Sequence, residues 1–314
     1  MALPEERESH SVRDLIVLKK NNRKKKAIEK LVPKLLLLTA IVSVLTTIGI
    51  LFTLLIETFT FFQRVSLFEF LTADTWYPFS NPGEYGILPL ISGTLRVTVI
   101  AILVAVPLGI SAAIYLSDYA SDRTRRIIKP ILEVLAGIPT IVYGFFALTF
   151  VTPVLRTFIP SLEIFNALSP GIVMGIMITP TIASLSEDAM SAVPYSIREG
   201  ALALGATRFE VTMKVVLPAA SSGIIASIVL GISRAIGETM IVSIAGGSSP
   251  NLGFNVTESI QTMTAYIVQV AQGDAGYGTT IYYSIYAVGF TLFLFTLAMN
   301  LFAAWIARRI REEY

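Results

Sequence analysis

Long apolar runs separated by short polar stretches organise this chain. Six runs stand out, at residues 35–56, 88–116, 131–151, 168–185, 223–244 and 281–307. A hydrocarbon core about 30 Å thick takes roughly 20 residues of apolar helix. Each run therefore predicts a membrane-spanning α-helix, the fourth being short and holding Pro170 and Pro180. The predicted fold is an all-α integral membrane domain over residues 35–307, with tails at 1–34 and 308–314. The aromatics Trp76, Tyr77 and Tyr85, between the first two spans, suit a belt at the membrane interface.

Residues 193–220, VPYSIREGALALGATRFEVTMKVVLPAA, break the pattern. They are too polar to span a membrane and too patterned for a linker. Ser196 with Glu199, and Thr207 with Glu210, have the S/T-x-x-E spacing of capping boxes. Gly205 lies between them as a left-handed C′ residue, and Pro218 ends or kinks the second segment. A short helix, a glycine turn and a second short helix are expected. A DNA-binding helix–turn–helix is rejected: Arg198, Arg208 and Lys214 against Glu199 and Glu210 make too weak a basic footprint.

Composition agrees with the membrane reading. Of 314 residues, 54% are hydrophobic and 15% charged, with a mean hydropathy of +0.70. A soluble domain carries about 25% charged residues. The chain has no cysteine and one histidine, His10. That removes disulfides, thiolate nucleophiles and Cys-based metal sites, and no metal site is expected.

The net charge of +2 matters less than its distribution. With the N-terminus inside, 20 of the 24 Lys and Arg fall in cytoplasmic segments. Arg64 and Arg156 lie in outside loops, and residues 245–280 hold no Lys or Arg. This predicts both termini in the cytoplasm. The basic tail is read as the flank of an uncleaved anchor, since its apolar run exceeds a signal-peptide core. It either holds anionic headgroups or serves as a topology signal.

Charges inside spans are costly and mark function by default. Arg234 and Glu238 lie in the fifth run, Arg234 about 16 Å from its start, near the midplane. Their i, i+4 spacing puts both on one face, which Ser227 and Gly231 extend as a strip of small residues. Two readings stand. The pair lines a path, Arg234 offering the multi-donor fork that suits oxyanions; or it is an ion pair that locks the bundle. Arg96 lies closer to a membrane face and is expected to snorkel outward.

Glu199, Gly200, Ala201 and Gly205, followed by Leu217 and Pro218, resemble the EAA motif of permease subunits of binding-protein-dependent ABC importers, with Gly200 where that family usually has Ala. YGILPLISGTL at 85–95, EVLAGIPTIVYGFF at 133–146 and LGISRAIGETM at 230–240 resemble the PstC-like permease of phosphate-specific ABC importers. The resemblance covers residues 87 to 307. It implies six transmembrane helices of the MetI-like permease type, with residues 193–220 as the loop that docks on a cytoplasmic ATPase. It implies a second, homologous permease subunit, two ATPase subunits and an extracytoplasmic phosphate-binding protein. It also implies phosphate passage at Arg234 and Glu238, in a prokaryotic inner membrane. The basic tail and Arg96 receive no role from it.

The chain lacks a P-loop, so ATP and magnesium are expected on the partner ATPase and no catalytic residue on this chain. Importers of sulfate, molybdate or phosphonate remain the nearest alternatives. An intramembrane enzyme would need a nucleophile–base pair or paired acids on facing spans. A channel or scaffold would not need the 193–220 loop.

Overall fold

The computed structural model describes the backbone of residues 23–273 and 275–310, and the side chains of 29–273 and 275–306. His10 and most of the basic and C-terminal tails lie outside these residues. The chain divides into two units, residues 1–53 and 54–314. The first is carried by α1 (Arg23–Phe62), whose residues from Glu29 onward are apolar enough to cross a membrane.

In the second unit, α2 (Leu67–Thr72) and a two-stranded ribbon, β1 (Trp76–Tyr77) and β2 (Glu84–Tyr85), lead into α3 (Leu88–Ile114). A π-helical turn, Tyr115–Tyr119, extends α3. Then come α4 (Asp122–Gly137) and α5 (Thr140–Phe146), which runs through a π-helical turn into α6 (Thr152–Phe158). Helix α7 (Leu168–Ser191) precedes two short helices, α8 (Tyr195–Ala203) and α9 (Arg208–Val211). After α9 the chain forms a π-helical turn, Thr212–Val216, and the single turn α10 (Leu217–Ala219). Helices α11 (Ser221–Ile236), α12 (Met240–Ala245), α13 (Met263–Gln272) and α14 (Thr280–Ile310) complete the fold.

Among the described residues, five helical segments are long and apolar enough to span a bilayer, and six if α9–α10 with α11, bent by 71°, count as one. All-α membrane architecture is therefore observed, and two of the six expected spans need correction. The third is Thr140–Phe158, not 131–151. Residues 131–137 belong to the separate helix α4, because Pro139 cannot donate to the preceding turn and drives Ile138 into an extended conformation. The fifth does not continue to residue 244 as one helix: it stops at Ile236 and restarts at Met240.

The core sits where α3 lies along α7. Val97, Ala101 and Ala105 of α3 pack against Met174, Ile178 and Ile182 of α7, with Ile241 and Val242 of α12 closing the group. A second cluster gathers Phe61, Phe70, Trp76, Tyr85 and Tyr266 in edge-to-face contacts. Trp76 and Tyr85 are thus buried packing residues, contrary to the belt expectation; only Tyr77 of the three is exposed. The ribbon folds them back under α13, where apolar ring area is better removed from solvent.

Candidate functional site

The 193–220 loop folds as helix, turn, helix. Gly205 has φ +88°, the left-handed conformation glycine adopts without steric cost. Around it Ala206 N–H donates to Ala201 O at 3.2 Å and Gly205 N–H to Leu202 O at 3.0 Å, the two bonds of a Schellman motif. Thr207 and Glu210 form the expected capping box: Glu210 N–H donates to Thr207 Oγ1 and Thr207 N–H to Glu210 Oε2. Those bonds, with Lys214 beside them, bring the Glu210 carboxyl down from near 4.5 to about 2.

The other expected box does not form. Pro194 holds the extended N-cap position, so α8 starts at Tyr195 and Ser196 falls inside the helix, out of register with Glu199. Glu199 and Gly200 are exposed, with open space around Gly200. Leu204 is 91% exposed, and Tyr195, Leu202 and Phe209 are also open. Leu217 and Pro218 lie in α10, just before the bend into α11.

Besides the apolar packing of Val193, Val211 and Val216 against Ala113, Met190 and Ile224, a polar tie holds this loop to the bundle: Asp118, in the π-helical turn that ends α3. Its carboxylate accepts from Arg198 Nη1 at 2.5 Å, Thr212 Oγ1 at 2.6 Å and Ser117 Oγ at 3.0 Å. Arg198 also donates from Nη2 to Met190 O of α7. One partly buried acid thus ties α3, α8 and the segment after α9 together. Sequence reasoning missed Asp118; its one sign there was an acid, with Asp122, leading into the basic run Arg123–Lys129. Nearby, Glu187 of α7 is fully buried and ion-paired to Arg125 and Lys129 of α4.

Arg234 sits in the last turn of α11, partly buried, and its Nη1 donates to Thr181 Oγ1 of α7 at 3.0 Å. Glu238 does not share its face. The helix has ended, and Glu238 stands in the break at 237–239, where Oε1 accepts from Met240 N–H at 3.1 Å. Its carbonyl accepts from Thr264 Oγ1 at 2.8 Å. The flexible Gly237 and a carboxylate able to cap the next helix favour a break over a continued helix. Among the described residues no ion pair joins Arg234 to Glu238. The small strip does face α7: Ser227 and Ser186 hydroxyls meet at 2.7 Å, and Gly231 lies against Ile182.

Arg96 does not snorkel. It is 7% exposed, and its guanidinium donates to Asn251 O and Oδ1 at 2.6 Å and to Asn255 O at 3.1 Å. One turn earlier, a Cβ on Gly93 would lie 2.3 Å from Gln261 O, so only glycine admits this approach. Thr94 Oγ1 accepts from Met263 N–H at 3.1 Å. The start of α3 therefore cradles the 251–263 segment, while its other end carries the 193–220 loop.

Comparison with known proteins matches this architecture. Residues 105–312 match the family model described as "Binding-protein-dependent transport system inner membrane component". The chain is 36% identical over 245 residues to a probable ABC transporter permease protein, YqgH, of Bacillus subtilis, covering 78% of this chain and 79% of that one. It is 33% identical over 282 residues to the phosphate transport system permease protein PstC 1 of Mycobacterium tuberculosis, covering 79% and 83%. A bacterial ABC transporter involved in alginate import has a similar chain, at a TM-score of 0.64 and 18% identity, covering 93% of this chain and all of that one. A chain of the MetNI methionine ABC transporter aligns at 0.53 and 17% identity, covering 72% and 95%. With the spans, the capped loop and these matches together, the chain belongs to the family of binding-protein-dependent transport system inner membrane components.

Proposed function

We propose that this chain is the permease subunit of an ATP-driven importer for inorganic phosphate. The observation that carries the phosphate reading is Arg234. Its guanidinium, inside the bundle, is held by a neutral hydroxyl and makes no ion pair with a carboxylate among the described residues. A fixed, delocalised fork with free donors is what a tetrahedral oxyanion needs, and relatives at about a third identity are named phosphate transport permeases. Glu238 acts differently from Arg234. It pins the break between α11 and α12, so a shift of Met240–Ala245 can widen or close the path beside the arginine.

The partner reading follows from the exposed 193–220 loop. Its apolar side chains offer a surface for an ATPase subunit, with Glu199 and Gly200 on the open side of α8 and Ala201 turned toward the apolar cluster beneath it. A second permease subunit completes the path, two ATPase subunits bind and hydrolyse ATP with magnesium, and an extracytoplasmic binding protein delivers phosphate. ATP-driven closure pulls the loops inward. Asp118 passes that displacement to α3, and Met190, bonded to Arg198, passes it to α7. Both termini are then cytoplasmic.

The test is uptake of labelled phosphate and sulfate into vesicles holding the complete complex. Phosphate uptake that sulfate does not compete with is expected, and it is lost in Arg234→Ala with assembly intact. Equal handling of both anions would overturn the phosphate reading.

A further inference from the structure

Helix α4 is the element that the transport reading leaves unexplained. None of its residues is buried, although it is tied to the bundle through Arg125 and Lys129. At 100° per residue, Arg125 and Lys129 point to one side, toward Glu187 of α7. The exposed Ile127, Ile131 and Val134 fall within about 60° of one another, on the opposite side. Their exposures are 57%, 53% and 69%. Between these faces stand Arg123 and Arg126. Both are exposed, and neither makes an ion pair or hydrogen bond among the described residues. The helix leads through Ile138 and Pro139 directly into the span Thr140–Phe158. It therefore lies where the chain enters the bilayer.

An apolar face, a flanking cationic edge and a position at the membrane boundary are the features of a helix lying in the interface. We propose that α4 binds anionic lipid headgroups through Arg123 and Arg126, with Ile127, Ile131 and Val134 against the acyl boundary, and that transport depends on this contact. The occupant is lipid, on grounds of charge complementarity and continuity with the span. The link to transport is mechanical. Glu187, held by α4, sits six residues after Thr181 on α7, about 9 Å along the helix, and Thr181 holds Arg234. A headgroup-bound α4 fixes the register of the helix that positions the arginine.

The transport dependence rests on the phosphate-importer reading, whereas the lipid contact does not, so two readouts are needed. The chain has no cysteine, which makes a spin label at Val134→Cys unique on this subunit. In the complete complex in nanodiscs of phosphatidylcholine with phosphatidylglycerol, that label is expected to collide readily with oxygen and poorly with a soluble nickel chelate. A label shielded from both would place a partner subunit on this face, and one open to nickel would place water there; either result overturns the proposal. In the second readout, transport is followed as phosphatidylglycerol replaces phosphatidylcholine. Arg123→Gln with Arg126→Gln removes two contacts, worth about 30-fold in headgroup association at about 1 kcal/mol each. The half-activating fraction of phosphatidylglycerol should therefore rise, with phosphate dependence otherwise unchanged. Superimposable curves for both proteins would overturn the dependence. If no membrane supports phosphate transport, the transport reading fails and the Val134 label still decides the lipid contact.

Discussion

Asp118 shows how much a single side chain can hold in this molecule. Its carboxylate meets three donors from three segments, and its side chain is 9% exposed against 14% for Arg198. Removing one partner of a buried charge pair strands the other, at about 3 kcal/mol. Asp118→Ala is therefore expected to lower the melting temperature of the purified complex and to weaken ATPase co-purification. Asp118→Asn keeps an acceptor for Thr212 and should lose less; equal losses would mean that the retained acceptor contributes nothing and that the charge alone holds the loop. Glu210 makes a pH prediction with a definite sign. Its folded carboxyl is lowered from about 4.5 to about 2, so its stabilisation of the loop is complete above about pH 4.5 and is lost as pH falls toward 2. Amide exchange at Glu210 should accordingly differ between the protein and Glu210→Gln at pH 5, and converge as the pH approaches 2. The Thr207–Glu210 box was legible in the sequence because both partners are three residues apart. Asp118 was not, because Arg198 and Thr212 reach it across 80 and 94 residues. Local spacing carries no information about such a meeting.

Elements follow the same division between local and distant causes. The Schellman turn at Gly205 was legible, since a left-handed residue after a short helix has few chemical alternatives. No atom lies within 4 Å of a Cβ built there, so Gly205→Ala carries only the backbone cost, about 1–2 kcal/mol. Gly205→Asn should cost less than Gly205→Val in the same thermal assay; the reverse order would point to a hidden side-chain contact. Gly93 is the opposite case, with an open backbone conformation but no space. Gly93→Ala meets the Gln261 carbonyl and must displace the 251–263 segment, at about 1–3 kcal/mol. Proteolysis of that segment should quicken while the 193–220 loop keeps its protection. Two breaks escaped the sequence reading, at Pro139 and at 237–239, because apolar content measures suitability for lipid and not helical continuity. Pro139 carried a usable signal. Glu238 did not, since its capping bond to Met240 exists only once the helix has already stopped.

At the scale of the whole molecule, the two loops lie at opposite ends of α3. Arg96 latches the 251–263 segment and Asp118 the 193–220 loop, 22 positions apart, or about 33 Å along a helix. That separation is close to the hydrocarbon thickness of a bilayer, so the loops belong to different aqueous compartments. In the proposed orientation, which the charge pattern favours, the segment without Lys or Arg is outside and the loop carrying Arg198, Arg208 and Lys214 is inside. Exposed positions on a cysteine-free chain make this testable without disturbing packing. Phe254 is 90% and Leu204 is 91% exposed. A membrane-impermeant maleimide added to intact cells is expected to label Phe254→Cys and to spare Leu204→Cys. Permeabilisation should open Leu204→Cys, more slowly where an ATPase subunit covers the loop than where it has been stripped away. Labelling of Leu204→Cys in intact cells would invert the orientation, and with it the direction in which Arg234 receives its anion. Equal rates with and without the ATPase would leave orientation standing but remove this loop as its docking surface.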